Sequence, residues 1–212
     1  MTITENVRQL LNEVPDTVRI MAAAKTRQPD EILEAMEAGI NIIGENYIQE
    51  AEAARREIEK PAEWHFIGHL QKNKAKKAVD LFDMIETVDS YELAAEINRR
   101  CIQAGKTMPV LIEINSGREP RKSGIYPEDA ERLVTEIAAL PHVRVTGLMT
   151  MGPLTGDPED SRPYFRETRA IFEHLKRLDI PNVTMSQLSM GMTDSYRVAL
   201  EEGATIIRIG SL

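Results

Sequence analysis

The feature that most constrains this chain is an alternation. Eight short apolar runs, at residues 19–25, 41–45, 63–68, 84–88, 109–115, 143–150, 182–189 and 205–210, are separated by longer amphipathic segments. Most runs are close to continuously hydrophobic. That is the pattern of parallel strands covered outside by helices and packed inside against one another. The intervening segments carry helix start and stop signals. Residues 29–38 open with Pro29 and stop at Gly39, and residues 90–104 open with Ser90 and end before Gly105. Segments 47–59, 127–140, 161–178 and 193–202 follow the same plan. Eight such repeats in 212 residues predict one α/β domain, 1–212, folded as a single (β/α)8 TIM barrel. An open doubly wound sheet is the alternative. A further amphipathic segment, 4–14, is expected to cap the lower end of the barrel.

Composition narrows the function classes. The chain is 42% hydrophobic and 28% charged, as in ordinary soluble domains. Its net charge of -8 repels nucleic acid and anionic lipid. The cluster Lys72, Lys74, Lys76 and Lys77 reads as a solvated helix face. A single cysteine, Cys101, excludes an intrachain disulfide and a cysteine metal cluster. No secretory signal is read at the N-terminus, and no apolar run approaches the ~18 residues of a membrane span. The expected location is the cytoplasm, with no membrane and no nucleic-acid partner.

Two loops point to chemistry. Leu188-Ser189-Met190-Gly191-Met192-Thr193 and Arg208-Ile209-Gly210-Ser211 each combine an apolar run with Gly and hydroxyl residues. Such loops offer backbone N–H and hydroxyl donors to a phosphate. In a (β/α)8 barrel the loops after strands 7 and 8 commonly do this. Lys25 ends strand 1 on the same face. It is either a lysine reaching from a strand end into water or a nucleophilic amine for an aldehyde, its stem in an apolar mouth. Arg208 lies in an otherwise apolar strand, so it must be paired or hydrogen-bonded, and a ligand acceptor atom would serve. Asn46 is either a helix N-cap or a ligand contact. His65 and His69 straddle a strand end, which argues against a metal site. Met149 and Met151 read as core filling.

Taken together, Ala24-Lys25-Thr26, Gly44-Glu45-Asn46-Tyr47-Ile48-Gln49-Glu50, the stretch from Trp64 to Lys74, Lys122-Ser123-Gly124, Gly147-Leu148-Met149, Leu188 to Asp194 and Arg208-Ile209-Gly210-Ser211 make the chain resemble the pyridoxal phosphate homeostasis family (YggS/PROSC-type proteins). The resemblance runs from about Met21 onward. It implies a barrel similar to the N-terminal domain of alanine racemase, the fold-type III arrangement for pyridoxal 5'-phosphate (PLP). It implies Lys25 as the Schiff-base lysine. It implies phosphate contacts from Ser189, Gly210 and Ser211, with backbone groups near Gly191 and Met192. It implies Arg208 facing the pyridine nitrogen, with Asn46 and His65 near the ring. The implied role is binding and delivering PLP and keeping its free level safe, with effects on amino-acid and keto-acid balance. The expected partners are PLP and PLP-dependent apo-enzymes, and the expected state is a monomer.

A PLP-dependent amino-acid racemase is the alternative. Racemisation needs a base on each face of the cofactor. None of Tyr47, Tyr91, Tyr126, Tyr164 and Tyr196 has a sequence context that marks it as the second base. A guanidinium has no proton to give up, so Arg208 leaves the ring a weaker electron sink. The carrier reading is therefore expected. A third reading, a barrel for some other phosphate ester, needs Lys25 to be structural only. Relatives are expected to continue past the strand 8 loop with Phe-Gly and a short tail, and the carboxylate of Leu212 is expected near the phosphate loop.

Overall fold

Near-continuous apolar strands need cover on both faces, and a closed sheet provides it. The structure, a computed structural model, describes residues 2–153 and 156–211. Strands β1 (Arg19–Ala23), β2 (Ile42–Glu45), β3 (Glu63–Phe66), β4 (Met84–Val88), β5 (Met108–Ile114), β6 (Val143–Thr150), β7 (Val183–Met192) and β8 (Ile206–Ile209) form a closed barrel in sequence order. All neighbours are parallel, and β8 returns to β1 with Arg208 opposite Met21. Helices α2 (Pro29–Glu37), α3 (Ile48–Glu57), α4 (Ala75–Leu81), α5 (Tyr91–Ala104), α6 (Ala130–Ala138), α7 (Arg162–Arg177) and α8 (Tyr196–Glu201) join successive strands. The main core lies between sheet and helices, where Ile43, Phe66, Ile112 and Ile207 meet Ile32, Ala51, Ile97 and Phe172. Two separate small clusters, Met21–Ile42–Ile206 and Met84–Leu111–Met149, fill the lumen.

The first helix departs from its expected place. Helix α1 (Ile3–Glu13) is fixed at its start by a reciprocal cap between Thr2 and Glu5. The backbone N–H and hydroxyl of Thr4 donate to Glu34 of α2. At its other end Glu13 accepts from Tyr196 and Arg197 of α8. A Cβ added to Gly39, just past α2, would lie 2.9 Å from Leu11 Cδ1. So α1 fills the helix ring between α8 and α2 instead of capping the lower end. The cause is a gap: among the described residues no helix follows β8, and an amphipathic helix with Val7 buried needs that groove.

Three smaller differences matter. Strand β7 runs on to Met192, three residues past its expected end. Gly191 adopts φ +90° there, and the pairing with β8 shifts register between Ser189 and Met192. Second, the lysine cluster spans a 3₁₀ turn, Lys72–Lys74, and the start of α4, with Lys72, Lys76 and Lys77 exposed. Third, a short 3₁₀ turn, Pro127–Asp129, opens segment 127–140 before α6, and another, Pro158–Ser161, runs into α7. Leu212 lies outside the described residues. Among the described residues no helix is long and apolar enough to cross a membrane.

Candidate functional site

The C-terminal ends of the strands form the mouth of the barrel, where such folds place their chemistry. Lys25 stands two residues past β1 and is exposed, so its stem is not sheltered by apolar walls as the sequence suggested. Its Nζ lies 6.0 Å from the centre of the Tyr47 ring. The turn carrying it is held by Thr26, at φ +64°, whose N–H donates to Glu50 at 3.0 Å. Asn46 follows β2 and is half-buried. Its carbonyl presses on Gly68, where an added Cβ would come within 2.2 Å, so only glycine fits at the end of β3.

The two loops singled out by sequence do meet. The N–H groups of Gly210 and Ser211 both point at Thr193 Oγ1, at 3.2 and 3.4 Å. Two successive backbone donors and a hydroxyl converging on one point are what an anion needs. Arg27 ties this loop down: it donates to the Gly210 carbonyl at 2.9 Å and pairs with Glu31. Met192 is engaged too, its N–H donating to Ser195 Oγ at 3.2 Å. Thr193 and Arg27 were not singled out by sequence reasoning. Thr193 sat at the end of a quoted motif, where its hydroxyl was a usable signal.

Beside this loop pair lies a cavity of about 340 Å³, walled by Asn46, Gly68, His69, Thr87, Glu113 and Met192 among others. None of the five tyrosines lines it. Glu113 is 4% exposed and its Oε2 has no hydrogen-bond partner. Burial pushes its carboxyl up to about 7, with Asp89 adding to the rise and Arg208 opposing it. Glu45, at the end of β2, also has a buried Oε2 without a partner, and burial together with Glu50 pushes it up to about 8.

Below the mouth the lumen also carries a polar series beside its apolar clusters. Arg208 donates to Ser189 Oγ at 2.7 Å and to the Thr150 carbonyl at 2.8 Å. Ser189 donates to Glu86 Oε2 at 2.6 Å. His65 holds Glu86 Oε1 with Nδ1 at 2.6 Å and Glu63 Oε1 with Nε2 at 2.8 Å. Arg19 pairs with the other oxygen of Glu63. Burial opposes a charge on His65, but the two carboxylates outweigh it and raise its pKa to about 9. The bond from His65 holds Glu63 down at about 2 against burial, with Arg19 assisting. Burial pushes Glu86 up, yet His65, Arg208 and Ser189 together keep it below the ordinary carboxylate value. Burial also lowers the pKa of Arg208, opposed by Glu86 and Glu113.

This placement sorts the sequence-predicted residues. Lys25, Asn46, Gly191, Met192, Gly210 and Ser211 lie at or beside the mouth, and Arg208 enters it from below. Ser189 and His65 are both 0% exposed, and their polar atoms are taken by neighbouring side chains. Ser189 therefore has no hydroxyl hydrogen left for a phosphate, because Glu86 holds it. Glu63 and Glu86 were missed. Glu86 sits inside the apolar run 84–88, and a carboxylate in a fully buried strand must be paired, the argument that singled out Arg208.

A family model described as the N-terminal domain of alanine racemase matches residues 1–212. The pyridoxal phosphate homeostasis protein of Aquifex aeolicus is 42% identical over 92% of this chain and 85% of its own length. That of Pasteurella multocida is 36% identical over 100% of this chain and 96% of its own. The chain belongs to the pyridoxal phosphate homeostasis protein family. Both of these relatives are named for homeostasis of pyridoxal phosphate. PipY of Synechococcus elongatus, solved with PLP bound, superposes with a TM-score of 0.91 at 32% identity, covering 99% of this chain and 98% of PipY. Alanine racemase from Clostridium difficile shares the fold, with a TM-score of 0.83 at 14% identity, and the match covers 54% of that larger chain.

The residues present fit PLP. An exposed primary amine, paired N–H donors, a buried guanidinium and a cavity with an unpartnered carboxyl oxygen surround one mouth. An amine can condense with an aldehyde, N–H donors can hold a phosphate, and a guanidinium can donate to a ring nitrogen.

Proposed function

We propose that this protein binds PLP at the mouth of its barrel and serves PLP homeostasis as a carrier or regulator, with effects on amino-acid and keto-acid balance. The whole chain, 1–212, works as one PLP-binding domain. The observation that carries this reading is the convergence of Thr193, Gly210 and Ser211 beside Arg208, next to the turn that carries Lys25, since β8 pairs with β1. PLP supplies an aldehyde that condenses with a primary amine. Lys25 offers that amine. Thr193 Oγ1 and the N–H groups of Gly210 and Ser211 hold the phosphate, steadied by Arg27. Arg208 faces the ring nitrogen, with two of its five N–H groups already spent on Ser189 and Thr150. Asn46 borders the ring from the end of β2, and Gly191 with Met192 shapes the phosphate loop. His65 and Ser189 act from underneath.

A carrier suits these residues better than a racemase. A second base is needed for racemisation, and none of the five tyrosines has a sequence context that marks it as that base. A donor-only guanidinium keeps the ring nitrogen unprotonated, which favours holding the aldehyde over reacting with it. In this reading the protein is a cytoplasmic monomer that gives PLP to apo-enzymes. The test is direct. Protein mixed with PLP takes up one equivalent and turns yellow. It restores activity to a PLP-stripped enzyme, and it racemises or transaminates no common amino acid above background. A kcat of order 1 s⁻¹ on any amino acid, the low end for ordinary enzymes, would overturn the carrier reading.

A further inference from the structure

The side chains under the mouth form a series whose hydrogen bonds have only one possible direction. A guanidinium only donates and an ionised carboxylate only accepts. Ser189 must therefore accept from Arg208, at 2.7 Å, and give its single proton to Glu86, at 2.6 Å. His65 lies between two carboxylates, so both ring nitrogens donate and the ring is an imidazolium. The series spans the lumen from β3 and β4 to β7 and β8. Its members Glu86, His65 and Ser189 are 0% exposed, and Arg208 is 4% exposed.

The placement of the serine has a consequence. Arg208 and Glu86 are opposite charges in one buried lumen, with the Ser189 hydroxyl between them. Without the hydroxyl the guanidinium would be drawn onto the carboxylate and away from the mouth. Without His65 the carboxylate would have no other cation to hold it. We infer that Ser189, Glu86 and His65 are positioning residues that set Arg208 at the mouth: Glu86 draws the guanidinium inward, Ser189 spaces it, and His65 anchors Glu86 on the far side. Ser189 thus serves the ring end of the ligand and not its phosphate. This rests on the reading that Arg208 faces the ring nitrogen of PLP.

Two discrimination ratios test it. The first compares PLP with its analogue carrying CH in place of the ring nitrogen. The second compares PLP with pyridoxal, which lacks the phosphate. Wild-type protein prefers PLP about tenfold or more in the first and more strongly in the second. In Ser189→Ala the first ratio falls to within about twofold of one, while the second is unchanged. Collapse of the phosphate ratio instead, or retention of the nitrogen ratio, overturns the inference. Ser189→Ala buries no new charge, so it tests the idea even if Glu86→Leu does not fold. A wild-type nitrogen ratio near one overturns the underlying reading of Arg208 itself, a different signature. A third readout needs no cofactor. In ¹⁵N-histidine spectra of the free protein at pH 7, both nitrogens of His65 are protonated. A single neutral tautomer there removes the anchor and the inference with it.

Discussion

Two pairs of carboxyl groups in this barrel, all buried except the half-buried Glu63, are treated in opposite ways. Glu63 and Glu86 have both oxygens engaged and are held in the ionised form. Glu45 and Glu113, nearer the mouth, each keep one buried oxygen without a partner and are pushed towards the protonated form. The first pair completes the lumen and wants nothing more. The second pair costs stability that an arriving ligand can return, since an unmet buried acceptor is worth more when satisfied than a new surface contact. On the proposed reading, the difference separates side chains that support the site from those nearer the ligand, Glu113 among the cavity's walls.

Lys25→Ala strikes the mouth hardest. Covalent capture of PLP disappears, and the yellow colour with it, while unfolding by urea is unchanged. In wild type, borohydride followed by peptide mapping finds the adduct on Lys25; an adduct on another lysine rejects the assignment. His65→Ala strikes the support. Removing one member of a buried ion pair leaves the other uncompensated, so stability at pH 7 falls by about 3–5 kcal/mol in urea denaturation. Glu113→Gln at the same pH is neutral or stabilising. Equal losses in the two variants would erase the distinction between the pairs.

The pH dependence sharpens it further. The folded value of Glu113 is raised from 4.5 to about 7, so its contribution is fully present below pH 4.5 and is lost as pH rises through about 7. His65 is raised from 6.5 to about 9, so its contribution is present below pH 6.5 and lost as pH rises through about 9. Glu113→Gln should lessen the lower decline, to which Glu45 also contributes up to about pH 8, by at most about 3 kcal/mol, and leave the upper one. Urea midpoints from pH 4.5 to 9.5 read both, and a mutant curve parallel to wild type throughout refutes the assignment. The smallest effect belongs to the phosphate loop. Thr193→Ala weakens PLP about tenfold, roughly 1.4 kcal/mol, and Thr193→Ser restores it. Equal titration curves for all three proteins would exclude Thr193 from the phosphate site.

The barrel was legible because its signals are local. Continuous apolar runs mark β1 to β8, and Pro29, Ser90 and Gly105 punctuate helices where the structure begins and ends them. Lys25 and Arg208 were legible for a related reason, since each is a charge at the end of or inside an apolar run. The errors came from relations that no local window contains. The shifted register beside Gly191 puts Ser189 inside the barrel and leaves Thr193 to meet Gly210 and Ser211. The bond from Ser189 to Glu86 joins residues 103 apart in sequence. The place of α1 depends on a groove made by α2 and α8, which its own amphipathic pattern cannot specify.

That place of α1 bears on how the chain is made. The helix is synthesised long before Tyr196 and Arg197, which hold its end from 183 and 184 residues further on. The free edge of β1 likewise waits for β8. At ribosomal speeds of about 5–20 residues per second the wait is roughly 10–40 s. Through that interval the nascent chain carries an open strand edge and a half-covered apolar helix, both inviting contact with other chains. Emergence of α8 and then β8 closes the two exposures in turn.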